Sequence, residues 1–155
     1  MATSREYATS VTVTRQELSK MILAQRTILE SGRFKTGVAD KAAIIAGLGS
    51  IGATVLGLIF IASAPVGIAA GVAGLSLSLF GIGLGGKMED LLSYGISGMT
   101  DILTDITAYG NRYSQFQIKL PFLEYTLQDG TVLRFVQGRG VVERARSGGG
   151  WEIIN

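Results

Sequence analysis

The chain has 155 residues, enough for one domain with a core and short for two. It contains neither cysteine nor histidine, which removes disulfides, thiolate nucleophiles, imidazole acid–base chemistry and most transition-metal sites. The net charge of +2 says little as a sum but much as a distribution, because no charged side chain falls between residues 42 and 86.

In the first segment, residues 1–41, Tyr7-Ala8-Thr9-Ser10-Val11-Thr12-Val13 alternates larger residues with small ones, the period of a strand. Thr14-Arg15-Gln16-Glu17 has the spacing of a capping box. The helix it predicts carries Leu18, Met21, Ile22, Ile28 and Leu29 on one stripe and stops near Gly32.

Residues 42–86 form 45 consecutive uncharged positions, fenced by Asp40-Lys41 and Lys87. A bilayer span takes about 20 apolar residues, so the run has room for two spans and a turn. Its one proline marks the turn: Ser63, Ala64, Pro65 and Val66 form the expected hairpin tip, since proline removes a donor and disfavours helix at the residue before it. The predicted spans are Ala42–Ala62 and Val66–Gly86, each about 31 Å long if continuous.

Glycine is dense here, and two G-x-G-x-x-G matches, Gly47–Gly52 and Gly81–Gly86, raise the question of a dinucleotide turn. After Gly52 the chain reads ATVLGLIFIAS, with no polar face and no carboxylate before Glu89. The second match is followed by Asp101 and Asp105 at suitable separation, but within a helical pattern rather than after a second strand. The reading is therefore of no cofactor and no metal, with the glycines serving helix packing instead. Ala43, Ala46, Gly47, Ser50, Ala53 and Gly57 fall on one stripe of the first span. Gly67, Gly71, Gly74, Ser78, Gly81 and Gly85 follow in steps of four and three along the second. Such small-residue seams let two backbones approach closely. Leu56, Ile59, Phe60, Val72, Leu75, Leu79 and Ile82 are then expected to project away, toward lipid or other subunits. With no ionisable group in the run, a side-chain proton relay is excluded. Basic residues flank the spans (Arg26, Arg33, Lys35, Lys41 and Lys87) and none lies at the tip, which predicts both hairpin ends on one side of a membrane.

Residues 87–110 repeat Met88, Leu91, Leu92, Met99, Ile102, Leu103 and Ile106 at helical spacing, with Gly95 and Gly98 as weak points. Glu89, Asp90, Asp101 and Asp105 form a solvated face or an acid-sensed latch. From Asn111 the period becomes two: strands are predicted around 112–119, 122–128, 131–137 and 140–146, and a fifth at 151–154. Gln128-Asp129-Gly130-Thr131 fits a hairpin turn. Arg134, Arg139, Arg144 and Arg146 read as ordinary strand solvation.

Together these features predict an α+β chain. Its segments are an N-terminal strand and amphipathic helix (1–41), a Gly-rich hydrophobic α-helical hairpin (42–86), an acidic amphipathic helix (87–110) and a small antiparallel β-meander (111–155). Covering two long apolar helices with the remaining residues is hard, so a membrane or an oligomer is expected to supply the rest. The expected function is non-enzymatic: membrane insertion by a homo-oligomer, through pore formation, lysis or penetration of the bacteriocin, toxin or phage type. The alternative is a structural subunit of a viral or envelope assembly. The expected partners are a lipid bilayer and further copies of the chain, with neither nucleic acid nor a small-molecule substrate. The expected location is a membrane, reached by secretion or as part of a virion.

Overall fold

Thr14 Oγ1 accepts a hydrogen bond from the Glu17 amide at 3.1 Å, and Glu17 Oε1 accepts one from the Thr14 amide at 2.8 Å. This reciprocal cap ends strand β1 (Thr3–Val13) and starts helix α1 (Arg15–Gly32). The computed structural model describes residues 3–32, 34, 40–59, 65–127 and 130–154. Asp40 caps α2 (Lys41–Gly49) by accepting from the Ala43 amide at 3.0 Å. Helices α3 (Ala53–Ile59), α4 (Pro65–Gly81) and α5 (Gly85–Thr107) follow, and then β2 (Gln115–Thr126), β3 (Val132–Val136), β4 (Val141–Ser147) and β5 (Gly150–Ile153). The chain is α+β.

The sheet is antiparallel and built around β2, its longest strand. β1 pairs with the whole of one edge of β2, from Thr3 opposite Thr126 to Val13 opposite Phe116. The other edge is shared: β3 pairs with Phe122–Thr126 and β4 with Gln115–Lys119, and β5 closes a hairpin on β4. Strands β2–β5 thus make the expected meander, and the N-terminal strand extends it.

Two predicted strands, 112–119 and 122–128, are one strand here, running through Pro121. A proline in a central strand normally leaves a ladder bond unmade. A residue's N–H and C=O point to the same edge, and the Pro121 carbonyl accepts from Gln137 N at 3.0 Å on the β3 side. The donor that Pro121 lacks would therefore face the connection Gln137–Gly140, between the part of β2 that pairs with β3 and the part that pairs with β4.

α1 touches all four other helices, and the buried residues of helices and sheet form one contiguous core. Its most constrained point is Gln25, fully buried in α1. The Gln25 amide donates to the Val136 carbonyl at 2.7 Å and to the Leu92 carbonyl at 3.1 Å, and it accepts from the Val136 amide at 3.0 Å. Because Gln137 bonds inward to β2, Val136 points its backbone groups outward, to the edge of β3 that no strand covers among the described residues. Gln25 serves there as a one-residue strand. Helix α5 presses on the same place through Gly95, where a Cβ would overlap the Val136 carbonyl oxygen and Gln25 Nε2. One turn on, a Cβ at Gly98 would overlap the Gly138 carbonyl. The two glycines that weaken α5 locally are what admit the sheet edge.

The long helical hairpin is not formed as expected. The first predicted span is broken at Ser50–Gly52, and α2 and α3 meet at a bend of 112°. Gly52 supplies the corner with φ +98°, a left-handed conformation other residues adopt poorly. The second span ends at Gly81: Leu84 N bonds to Leu79 O at 2.7 Å and Gly83 N to Phe80 O at 3.0 Å, with Gly83 at φ +78°. Gly85 and Gly86 already belong to α5. Both G-x-G-x-x-G matches therefore lie at corners between helices, with no strand leading into either. Among the described residues no single helix is long and apolar enough to cross a membrane.

Two glycines predict opposite signs in a urea titration. Gly95→Ala should lower unfolding free energy by about 1–3 kcal/mol through overpacking, despite its helical propensity gain. Gly74→Ala, in a helix interior with nothing within 4 Å of its Cβ site, should raise it by up to about 1 kcal/mol. Gln25→Leu strips both Val136 backbone groups of their partner in a dry core and should cost about 2–4 kcal/mol by the same titration.

Candidate functional site

The uncharged run folds into the layer α2–α3–α4, and the placement of its side chains corrects the seam. Ile44, Leu48, Ile51, Val55, Leu56, Ile59, Ile68, Val72, Leu75 and Leu79 are buried in the protein's own core. Of the residues expected to project outward, Leu56, Ile59, Val72, Leu75 and Leu79 face inward; Ile82 does project, and Phe60 lies outside the described residues. The reason is area. Burying apolar surface stabilises by about 25 cal/mol per Å², so when a sheet and two amphipathic helices offer cover, the large side chains take it.

The small residues are left mostly outside. Ala46, Ser50, Ala53, Gly57, Gly74, Ser78 and Gly81 are exposed, and Ala43 is half-buried. A Cβ at Gly57, Gly74 or Gly81 would meet nothing within 4 Å. Ser50 and Ser78 turn their hydroxyls back to the carbonyls of Gly47 and Gly74, at 2.8 and 2.9 Å. Three seam residues do make close contacts, each with a different element. Gly47 packs against Thr27 of α1, Gly71 lies under Leu127, Thr131 and Leu133 of the β2–β3 hairpin, and Gly85 meets the Phe34 carbonyl. Gly67 lies in the first turns of α4. Of the expected tip, Ser63 and Ala64 lie outside the described residues, while Pro65 and Val66 open α4, where proline's missing N–H costs nothing.

The result is an outer surface without a charge. Leu77 is 55% exposed, Phe80 47% and Ile82 69%, with Ile45 and Leu84 also open to solvent. They are interleaved with the exposed Ala46, Gly74, Ser78 and Gly81. Exposed apolar side chains gathered on one uncharged surface are a feature of interaction surfaces in general.

A polar cluster fastens this layer to the sheet. Arg5, Glu124 and Arg134 stand opposite one another on β1, β2 and β3. The buried Glu124 carboxylate accepts from Arg5 Nε at 2.9 Å and from the Tyr7 hydroxyl at 2.8 Å. Arg134 lies over the Phe122 ring at 4.3 Å and donates to the Leu58 carbonyl at 2.6 Å, in the last turn of α3. A cation at a helix C-terminus satisfies orphan carbonyls and opposes the macrodipole. Arg134 is therefore a helix latch, not a solvated strand residue. Sequence alone offered only a weak signal for it, a single cation within the otherwise apolar β3. The hydrogen bond from Arg5, joined by that from Tyr7 and by the nearby cations, holds the Glu124 carboxyl below the usual carboxylate range.

A cavity of about 830 Å³ is an open groove between the C-terminal half of α5 and β4, lined chiefly by apolar residues and crossed by a loose Asp105–Arg139 pair at 3.8 Å. Among the described residues no three metal-binding side chains converge. No protein-family model, curated protein or solved structure matches this chain.

A depressed carboxyl pKa stabilises the fold above its unfolded value, and that contribution is lost as pH falls through the folded value. Wild type should therefore exceed Glu124→Gln in chemical-denaturation stability at about pH 7, and the gap should close below about pH 4. Some acid sensitivity should persist in the variant, because hydrogen bonds from Ser10 and Gln117 hold Glu143 down in the same window.

Proposed function

We propose that this chain is a membrane-inserting, oligomer-forming protein that carries its insertion segment folded against its own sheet. The observation that supports this reading is the uncharged run 42–86 with Leu77, Phe80 and Ile82 standing out of it. The layer first meets lipid by that surface. Insertion then requires α2 and α3 to straighten. Residues 42–59 as one helix are about 27 Å long, close to the roughly 30 Å hydrocarbon thickness. The change at Gly52 is from one backbone conformation open to glycine to another. In lipid the buried large side chains keep an apolar environment, while the small-residue faces become available for packing between helices. The Arg134–Leu58 contact must break first, which gives the latch its role.

Two measurements test this. Leu77→Asp alters an exposed position and should leave the circular dichroism spectrum unchanged. A carboxylate at the bilayer centre costs about 2.5–3.5 kcal/mol, so partition onto liposomes by flotation should fall about 100-fold. Unchanged partition would remove the surface from the proposal.

The second test uses the absence of native cysteine. A Cβ at Gly47 lies 3.6 Å from the Thr27 Cβ, within the usual disulfide range of about 3.5–4.5 Å. The Thr27→Cys/Gly47→Cys protein should staple α2 to α1 when oxidised. Oxidised protein is expected to leave dye inside liposomes, and reduced protein to release it. Equal release from both forms would sink the straightening step. A structural subunit, the rival reading, would leave the liposomes intact in either redox state.

A further inference from the structure

Strand β1 is an edge of the sheet, and among the described residues no strand pairs with its outer side. The ladder to β2 shows which of its residues face out. Gln137 N reaches the Pro121 carbonyl and Leu127 N the Thr131 carbonyl, so the odd-numbered residues of this part of β2 bond toward β3. The even-numbered ones bond toward β1, and their partners there are odd: Thr3, Arg5, Tyr7, Thr9, Val11 and Val13. Ser4, Glu6, Ala8, Ser10 and Thr12 therefore point N–H and C=O away from the sheet. Among the described residues none of these backbone groups has an outer partner. All five side chains are exposed as well.

Natural edge strands are usually protected by brevity, a bulge, a proline or a lysine directed at the edge. β1 has none of these. It runs 11 residues in unbroken register, with no lysine or proline, and from Tyr7 to Val13 it carries no charge. The opposite edge strand, β5, has only four residues.

We propose that β1 is a self-association edge: two copies pair antiparallel through it across a two-fold axis at Ala8, joining their sheets into one. In this register Ser4 faces Thr12 of the second copy, Glu6 faces Ser10, and Ala8 faces its own equivalent. All outward backbone groups of both strands are then used together, which no shifted register achieves. The side chains agree with it. The residue on the axis meets itself and is the small Ala8. Glu6 faces a serine and Arg5 faces Val11, so no like charges oppose, a pairing that would destabilise. An isologous contact of this kind closes on itself and gives a dimer rather than a fibre. The inference stands on β1 alone and does not depend on the membrane reading.

The test is made in water, without lipid or detergent, so that its outcome is separate from that of the membrane proposal. Sedimentation velocity of the full chain should show a dimer. Ala8→Pro removes an N–H that the protomer's own ladder does not use, a position where edge strands accept proline. It should weaken the dimer roughly tenfold or more, by deleting two hydrogen bonds per pair. Ala8→Lys, which leaves the backbone alone and sets two cations together on the axis, should do the same. Ala8→Cys, the only thiol in its chain, should couple to its twin with a short thiol-to-thiol cross-linker, whereas Ser4→Cys should not. A wild-type chain monomeric at about 100 μM would overturn the proposal. So would a dimer that survives both Ala8→Pro and Ala8→Lys, or one that cross-links equally at Ser4.

Discussion

The carboxamide of Gln25 is the joint on which the helical half of the protein meets the sheet. One side chain satisfies an N–H and a C=O at the bare edge of β3 and reaches the Leu92 carbonyl of α5 as well. A polar group sealed in a core is costly unless its partners are fixed, so the amide dictates where α1, α5 and β3 lie. Gly95 and Gly98 follow from it: with the sheet edge drawn this close, α5 can pass only where it lacks side chains. The outer edge of β3 at Val136 is thus closed by a helix side chain rather than by another strand among the described residues.

Much of this was legible in the residues. The T-x-x-E cap, the apolar stripes of α1 and α5 and the period-two pattern after Asn111 each rest on local geometry, and local geometry is what sequence spacing encodes. The departures come from non-local partners. Residues 112–119 and 122–128 read as two strands because local spacing does not show that one strand can run on through Pro121. Gly95 and Gly98 read as weaknesses because the carbonyls they admit lie about 40 residues onward in the chain. Arg134 read as solvated because its acceptor, Leu58, belongs to a distant helix. In the uncharged run, the glycine spacing was visible, but its direction was not: a stripe of small residues and the stripe of large ones beside it have the same period. Which of them turns inward depends on what cover the rest of the chain supplies.

That inversion accounts for how an uncharged surface is held in water. Glycine, alanine and serine expose little hydrocarbon each, so a face made largely of them has a low cost per residue when wet. The same face, stripped of bulk, lets helices approach closely when dry. The layer α2–α4 therefore presents most of its large side chains to the protein's own core and small ones outward, with a few apolar residues protruding.

The pairing of β1 with β2 joins residues 3–13 to residues 116–126, across most of the helical part of the chain. On a ribosome, where synthesis runs at roughly 5–20 residues per second, the uncharged run is complete some seconds before β2 exists to receive its cover. β1 waits unpaired for the same interval. The nascent chain thus passes through a stage in which its most apolar stretch has neither sheet nor α5 beside it. The large side chains of the run gain their cover only when the C-terminal half of the molecule arrives.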